Sequence, residues 1–283
     1  MTLRKMFYVA GRVLPVALLL APLCARAETP AVTVGMGFEL SSGKYGTATR
    51  TESVYAPLTV AVAPTERLGF SLEVPYLYQS NSSVTASVIT GGGMMGASSH
   101  AAAMSGSGMA GSGGTAQTAA TSHDVYGLGD VILKGGYVLV PEGELMPRIR
   151  PYLQVKFPTA QHGTLGTGNF DEGGAVELSK RIGRTYSFAE VGYLHQGHSD
   201  TVRLKDYVSY SAGTGYAVGD RFLPMIVVKG ATSPAEGASD LLEARLKLKY
   251  LLTPKTGMEL YGAKGFTTNS PDYGGGLSIY HDF

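Results

Sequence analysis

The chain has 283 residues, with 23 basic and 22 acidic side chains and a formal net charge of +1. So even a balance excludes a surface built for bulk polyanion attraction, and no nucleic-acid partner is expected. One cysteine and no tryptophan exclude a disulfide framework.

At the N-terminus, Arg4, Lys5 and Arg12 lead into the apolar stretch from Val13 to Leu23, and Ala25-Arg26-Ala27 puts small residues where a signal peptidase reads. Residues 1–27 are therefore read as a signal peptide, and residues 28–283 as a mature protein beginning at Glu28. A membrane-anchoring helix needs roughly 20 apolar residues, and Pro15 and Pro22 bracket a shorter run. The order Ala21-Pro22-Leu23-Cys24 is wrong for lipidation. Cleavage removes the cysteine, four of the 23 basic residues and none of the 22 acidic ones, which leaves a net charge of −3. Cysteine-based metal binding or catalysis is then excluded.

Beyond Ala27 the chain shows neither a long apolar run nor apolar residues at helical spacing. It alternates with period two over about ten residues, the pattern of a transmembrane strand with one face to lipid and one to a polar lumen. Val32, Val34, Met36, Phe38 and Leu40 share one parity, and so do Leu68, Phe70, Leu72, Val74, Tyr76 and Tyr78. In the second segment Thr51, Ser53 and Tyr55 give way to Leu58, Val60 and Val62, so a parity change is expected at Pro57. Val131, Leu133, Tyr137 and Leu139 then oppose Asp130 and Lys134; Ile149, Leu153, Val155 and Phe157 oppose Arg148, Arg150, Gln154 and Lys156. Val176, Leu178 and Ile182 oppose Glu177 and Arg181. From Leu242 to Leu252 the apolar parity opposes Glu243, Arg245, Lys247 and Lys249. Every one of these inner faces is polar. Pro57, Pro75, Pro151 and Pro224 fall inside strands that have no free edge, so each is expected at a bulge or a strand end. Lys180 falls on an outward parity, close enough to the Gly183 turn to reach lipid headgroups. With no tryptophan, the aromatic girdle is assigned to Tyr76, Tyr78, Tyr137, Tyr193 and Tyr250.

Connection lengths alternate. Short turn signals lie at Ala63-Pro64-Thr65-Glu66, Pro141-Glu142-Gly143-Glu144, Gly183-Arg184, Gly219-Asp220 and Thr253 to Gly257, with longer polar connections between them. Five turns and six loops give about 12 strands, an even number, as in bacterial outer-membrane barrels. The predicted fold is all-β, a transmembrane antiparallel up-and-down β-barrel in the cell outer membrane. A soluble β-sandwich would bury its apolar face, but charges of both signs on the other face in strand after strand suit a hydrated lumen better than a dry core. The chain ends Tyr280-His281-Asp282-Phe283, and a terminal Phe after alternating apolar residues is similar to the signal read by the barrel-assembly machinery. The expected partners are that machinery, outer-membrane lipid and lipopolysaccharide, and a small-molecule solute.

From Ser80 to His123 no Lys, Arg, Asp or Glu occurs, which predicts a low-complexity extracellular loop near residues 80–124. Met94, Met95, His100, Met104 and Met109 in it are soft-cation ligand types. Their spacing does not repeat, so a copper-type metal-handling barrel is only a third reading and no cofactor is expected. His162, His195 and His198 lie near loops without a paired spacing that singles out a nucleophile, so an enzyme is not expected.

The stretch Arg150 to Lys180, with Lys156, Pro158 and Thr159 followed by Leu165-Gly166-Thr167-Gly168 and Asp171, resembles the outer-membrane family of the meta-pathway of phenol degradation. Gly127-Leu128-Gly129-Asp130 and Phe188 to Tyr193 extend the likeness over residues 125–195. The resemblance implies passage of small, often aromatic or apolar molecules. On this register the lumen-lining candidates are Glu73, Asp130, Lys134, Arg148, Arg150, Lys156, Glu177, Arg181, Glu190, Glu243, Arg245, Lys247, Lys249 and Glu259. Such a set either lines a slender, weakly anion-preferring pore or closes it by ion pairs across the lumen. A channel or transporter is expected, with a structural or surface-interaction barrel as the alternative.

Overall fold

The computed structural model describes residues 31–80, 92–93, 108–109, 124–160, 165–198 and 203–283. The signal-peptide reading of residues 1–27 falls outside them, as do Met94, Met95, His100 and Met104; of Met109 only the backbone is described. Gly92–Gly93 and Gly108–Met109 pair as a small separate ladder.

Twelve strands form one closed antiparallel barrel. They are β1 (Ala31–Gly43), β2 (Thr51–Ala63), β3 (Leu68–Gln79), β4 in two segments (Val125–Leu128 and Val131–Tyr137), β5 (Arg148–Phe157), β6 (Asp171–Ile182), β7 (Thr185–His195), β8 (Tyr207–Tyr216), β9 (Phe222–Ala231), β10 (Leu241–Thr253), β11 (Thr256–Gly265) and β12 (Tyr273–Asp282). Each strand pairs with its sequence neighbours, and β1 closes on β12 from Thr33↔Asp282 to Ser42↔Tyr273. Their lengths fit the 9–11 tilted residues that cross a bilayer. Closure of β1 on β12 leaves the sheet without a free edge, so the ladders rather than water serve the backbone along the wall, as crossing hydrocarbon requires.

Alternation decides which way each residue faces. Met36, Phe38, Leu40, Phe70, Leu72, Leu153, Leu246, Leu260 and Ile279 are exposed on the outside, whereas Glu39, Glu73, Lys134, Glu177 and Arg245 between them are buried. The five girdle tyrosines all stand on the outward parity, Tyr76, Tyr78 and Tyr193 toward the long connections and Tyr137 and Tyr250 toward the short ones.

Four features depart from the sequence expectation. First, β2 keeps one parity throughout: Thr51, Ser53 and Tyr55 face inward like Thr59 and Ala61, and the register against β3 runs unbroken through Pro57↔Pro75. Apolar and small polar residues alternate too weakly there for the face to be read. Second, the prolines disturb the neighbouring ladder more than their own strand. The β1–β2 ladder skips the positions of Gly37 and Phe38 opposite Ala56 and Pro57. The break between the two segments of β4, at Gly129–Asp130, falls opposite Pro75. Beyond Pro151 the β4–β5 pairing shifts, with Ile149 opposite Val140, and Pro224 sits near the start of β9. Third, Lys180 reaches protein carbonyls before headgroups, bonding Gly143 O and, at 2.9 Å, Glu144 O in the turn between β4 and β5. Fourth, the inner faces of β7 and β9 are largely apolar: Tyr186, Phe188, Leu223, Met225 and Val227 form one buried cluster.

Candidate functional site: the barrel lumen

The inner wall is a belt of ionisable and phenolic side chains set by the period-two register. On β10 and β11, Lys247 Nζ lies 2.6 Å and Lys249 Nζ 3.6 Å from the Glu259 carboxylate, and Arg245 pairs with Glu243 two residues along its own strand. The Arg245 guanidinium also lies 4.3 Å from the Tyr261 ring centroid. The Tyr261 hydroxyl donates to Glu39 at 2.5 Å, reaching over β12. Gly276 of β12 permits this, because a Cβ there would meet Tyr261 Cε1 at 2.5 Å and Glu39 Cγ at 3.0 Å. On β2, beside Glu39, the Tyr55 hydroxyl donates to Glu73. Arg148 and Arg150 approach the single Glu177 carboxylate at 3.5 and 3.8 Å.

Toward the long connections, Lys156 is held between Asp130 at 3.2 Å and Asp171 at 2.5 Å. Both carboxylates also accept backbone donors, Asp130 from Ala160 at 3.0 Å and Asp171 from Gly197 at 2.9 Å. They thereby anchor two connections to the wall. This end is further drawn in by Gln196, whose Nε2 donates to Lys205 O at 2.6 Å and Pro234 O at 2.7 Å. Asn269 joins two more connections by donating to Tyr45 O at 3.0 Å and accepting from Ser239 N at 2.8 Å. Tyr45 has a left-handed φ of 49°, tolerated where a buried ring and a bonded carbonyl fix it.

Each of the fourteen lumen candidates stands on the inner parity, and the ion pairs just described join adjacent strands or lie along one strand. Parity also puts Glu39, Asp171 and Lys229 inside, none of them among the fourteen candidates, Asp171 having entered only through the family resemblance. Glu39 was legible on the inner face of the first strand. Lys229 was not, because its neighbours Val227 and Ala231 on the same face are apolar.

No family model matches the sequence, and no curated protein matches it. Solved structures do. The COG4313 outer membrane channel from Pseudomonas putida F1 superposes with a TM-score of 0.64 at 12% identity, over 93% of this chain and 98% of that one. The KdgM porin gives 0.52 at 9% identity over 89% and 99%, and the NanC porin 0.52 at 11% over 88% and 98%. At these identities the likeness is one of fold. Together with the lipid-facing apolar belt, it defines the class: this is an outer-membrane β-barrel.

Proposed function

We propose that the protein is a passive outer-membrane channel for small organic solutes. The observation that carries this reading is a closed wall whose inner face bears charges of both signs in strand after strand, the ion pairs described above running between neighbouring strands or along one. Support comes from the fold shared with a channel and two porins. The sequence likeness of residues 125–195 to the meta-pathway family points to aromatic or apolar cargo. A second reading, a barrel without passage, draws on burial: Glu177, Lys229, Glu243, Arg245 and Lys247 are each 3–4% exposed. Planar-bilayer recording of the refolded protein separates the two. A channel gives stable single-channel steps; folded, inserted barrels that carry no current at any voltage overturn the proposal in favour of the closed barrel.

A further inference from the structure

The lumen wall changes character over five neighbouring strands near the short turns. On β7 and β9 the inward residues are Tyr186, Phe188, Leu223 and Met225, and between them β8 presents Gly213 and Gly215. A Cβ on Gly213 would meet Phe188 Cε1 at 2.6 Å, and one on Gly215 would meet Met225 Cγ at 2.5 Å. The side chains of β7 and β9 therefore lie over β8 and make one continuous apolar wall. Directly beside it, β6 and β5 carry Arg181, Arg148 and Arg150. Arg181 is the register partner of Tyr186, with its guanidinium 5.8 Å from the ring centroid. Arg148 is opposite Ser179, which is opposite Phe188. The Arg148 and Arg150 side chains are 24% and 17% exposed and approach Glu177 at distances longer than a tight ion pair, and the Arg150 guanidinium also lies 5.9 Å from the Tyr152 ring centroid.

We propose that this junction is a subsite for a small organic anion with an apolar body, an aromatic carboxylate being the simplest case. The proposal rests on the lumen being a solute path and names the cargo. A guanidinium pair is suited to bidentate recognition of a carboxylate, and a ring laid against Tyr186 and Phe188 gains apolar burial and aromatic contact. An inorganic anion uses only the first feature and an uncharged aromatic only the second. The apolar side chains are 1–5% exposed, and Met225, unbranched and lying over Gly215, is the one that swings to admit the ring.

Calorimetric titration of the refolded barrel in detergent with benzoate, acetate and benzyl alcohol tests this without requiring conduction. Benzoate should bind at least about ten-fold more tightly than either of the others. R148Q/R150Q should reduce benzoate to the level of benzyl alcohol, and F188S to the level of acetate. Heat-modifiable migration identifies folded variants, and R181Q replaces the double variant if that one does not fold. Benzoate binding no better than acetate, or surviving the loss of the arginines, overturns the proposal. Bilayer current with no benzoate preference sinks the subsite and spares the channel; benzoate binding in a silent barrel does the reverse.

Discussion

At the outer rim a tyrosine, a histidine and an aspartate form a connected group. The Asp206 carboxylate accepts from the Tyr193 hydroxyl at 2.7 Å and from the backbone N–H of Gln196 at 3.1 Å, and bonds His195 Nδ1 at 2.9 Å. These bonds, that to His195 foremost and that from Tyr193 next, hold the carboxyl below its ordinary value. A lowered folded-state pKa means stability that is complete above the unfolded value, near pH 4, and lost as pH falls through the folded one. The site is exposed, so the contribution is on the order of 0.5 kcal/mol. D206N should lower the urea midpoint slightly at pH 7, and the difference from the parent should vanish in acid below the carboxylate range. A difference that persists there would trace the effect to packing instead of charge. The pairing also gives His195 a carboxylate partner that sequence spacing did not show.

Within the elements, β8 illustrates how small residues serve large neighbours. Its inward positions Ser211, Gly213 and Gly215 leave room for the side chains of β7 and β9 to meet above it. A valine at Gly213 would press on Phe188, on Val227 Cγ2 at 2.8 Å and on the backbone oxygen of Ile226 at 2.9 Å. Backbone cannot yield as a flexible side chain does, so G213V is expected to cost about 1–3 kcal/mol, read as a lower urea midpoint of the refolded barrel. G262V is the control, because a Cβ at outward-facing Gly262 meets nothing within 4 Å. Equal losses in the two variants would point to strand propensity instead of overpacking.

For the whole molecule the deciding event is closure of β1 on β12. The Thr33 hydroxyl donates to Asp282 Oδ1 at 2.5 Å, and beyond the last register pair the Phe283 N–H donates to Val32 O at 2.9 Å. Phe283 is 70% exposed, its ring 4.8 Å from that of His281 on the outer wall. The exposed ring adds little burial to the finished barrel, so any contribution of Phe283 is expected in assembly, while the sheet is still open, and not in the stability of the closed barrel. Deleting Phe283 should therefore lower the fraction that assembles in cells, seen as less heat-modifiable protein, while leaving the unfolding midpoint of the assembled fraction nearly unchanged. Assembly at the parent yield would remove the C-terminal residue from the assembly argument.

The sequence by itself determined the barrel class, the approximate number of strands and the facing of the charged ones, because a two-residue period translates directly into side when strand after strand shows the same contrast. It placed Glu243, Arg245, Lys247 and Lys249 on one face without reference to any partner. Where the contrast was weak it misled: in β2 small polar and apolar residues alternate so gently that a proline was mistaken for a change of side. Tertiary structure alone decided the rest. Pairing put the β4 break opposite Pro75, a relation between residues more than 50 positions apart that no local pattern carries. Lateral order brought Arg148, Arg181, Tyr186 and Met225, from four different strands, to one junction, and let Gly276 serve a contact between Tyr261 and Glu39. A strand's sequence specifies its two faces; which groups become neighbours across those faces depends on register, which turn geometry and the buried face set between successive strands and closure sets at the β1–β12 seam.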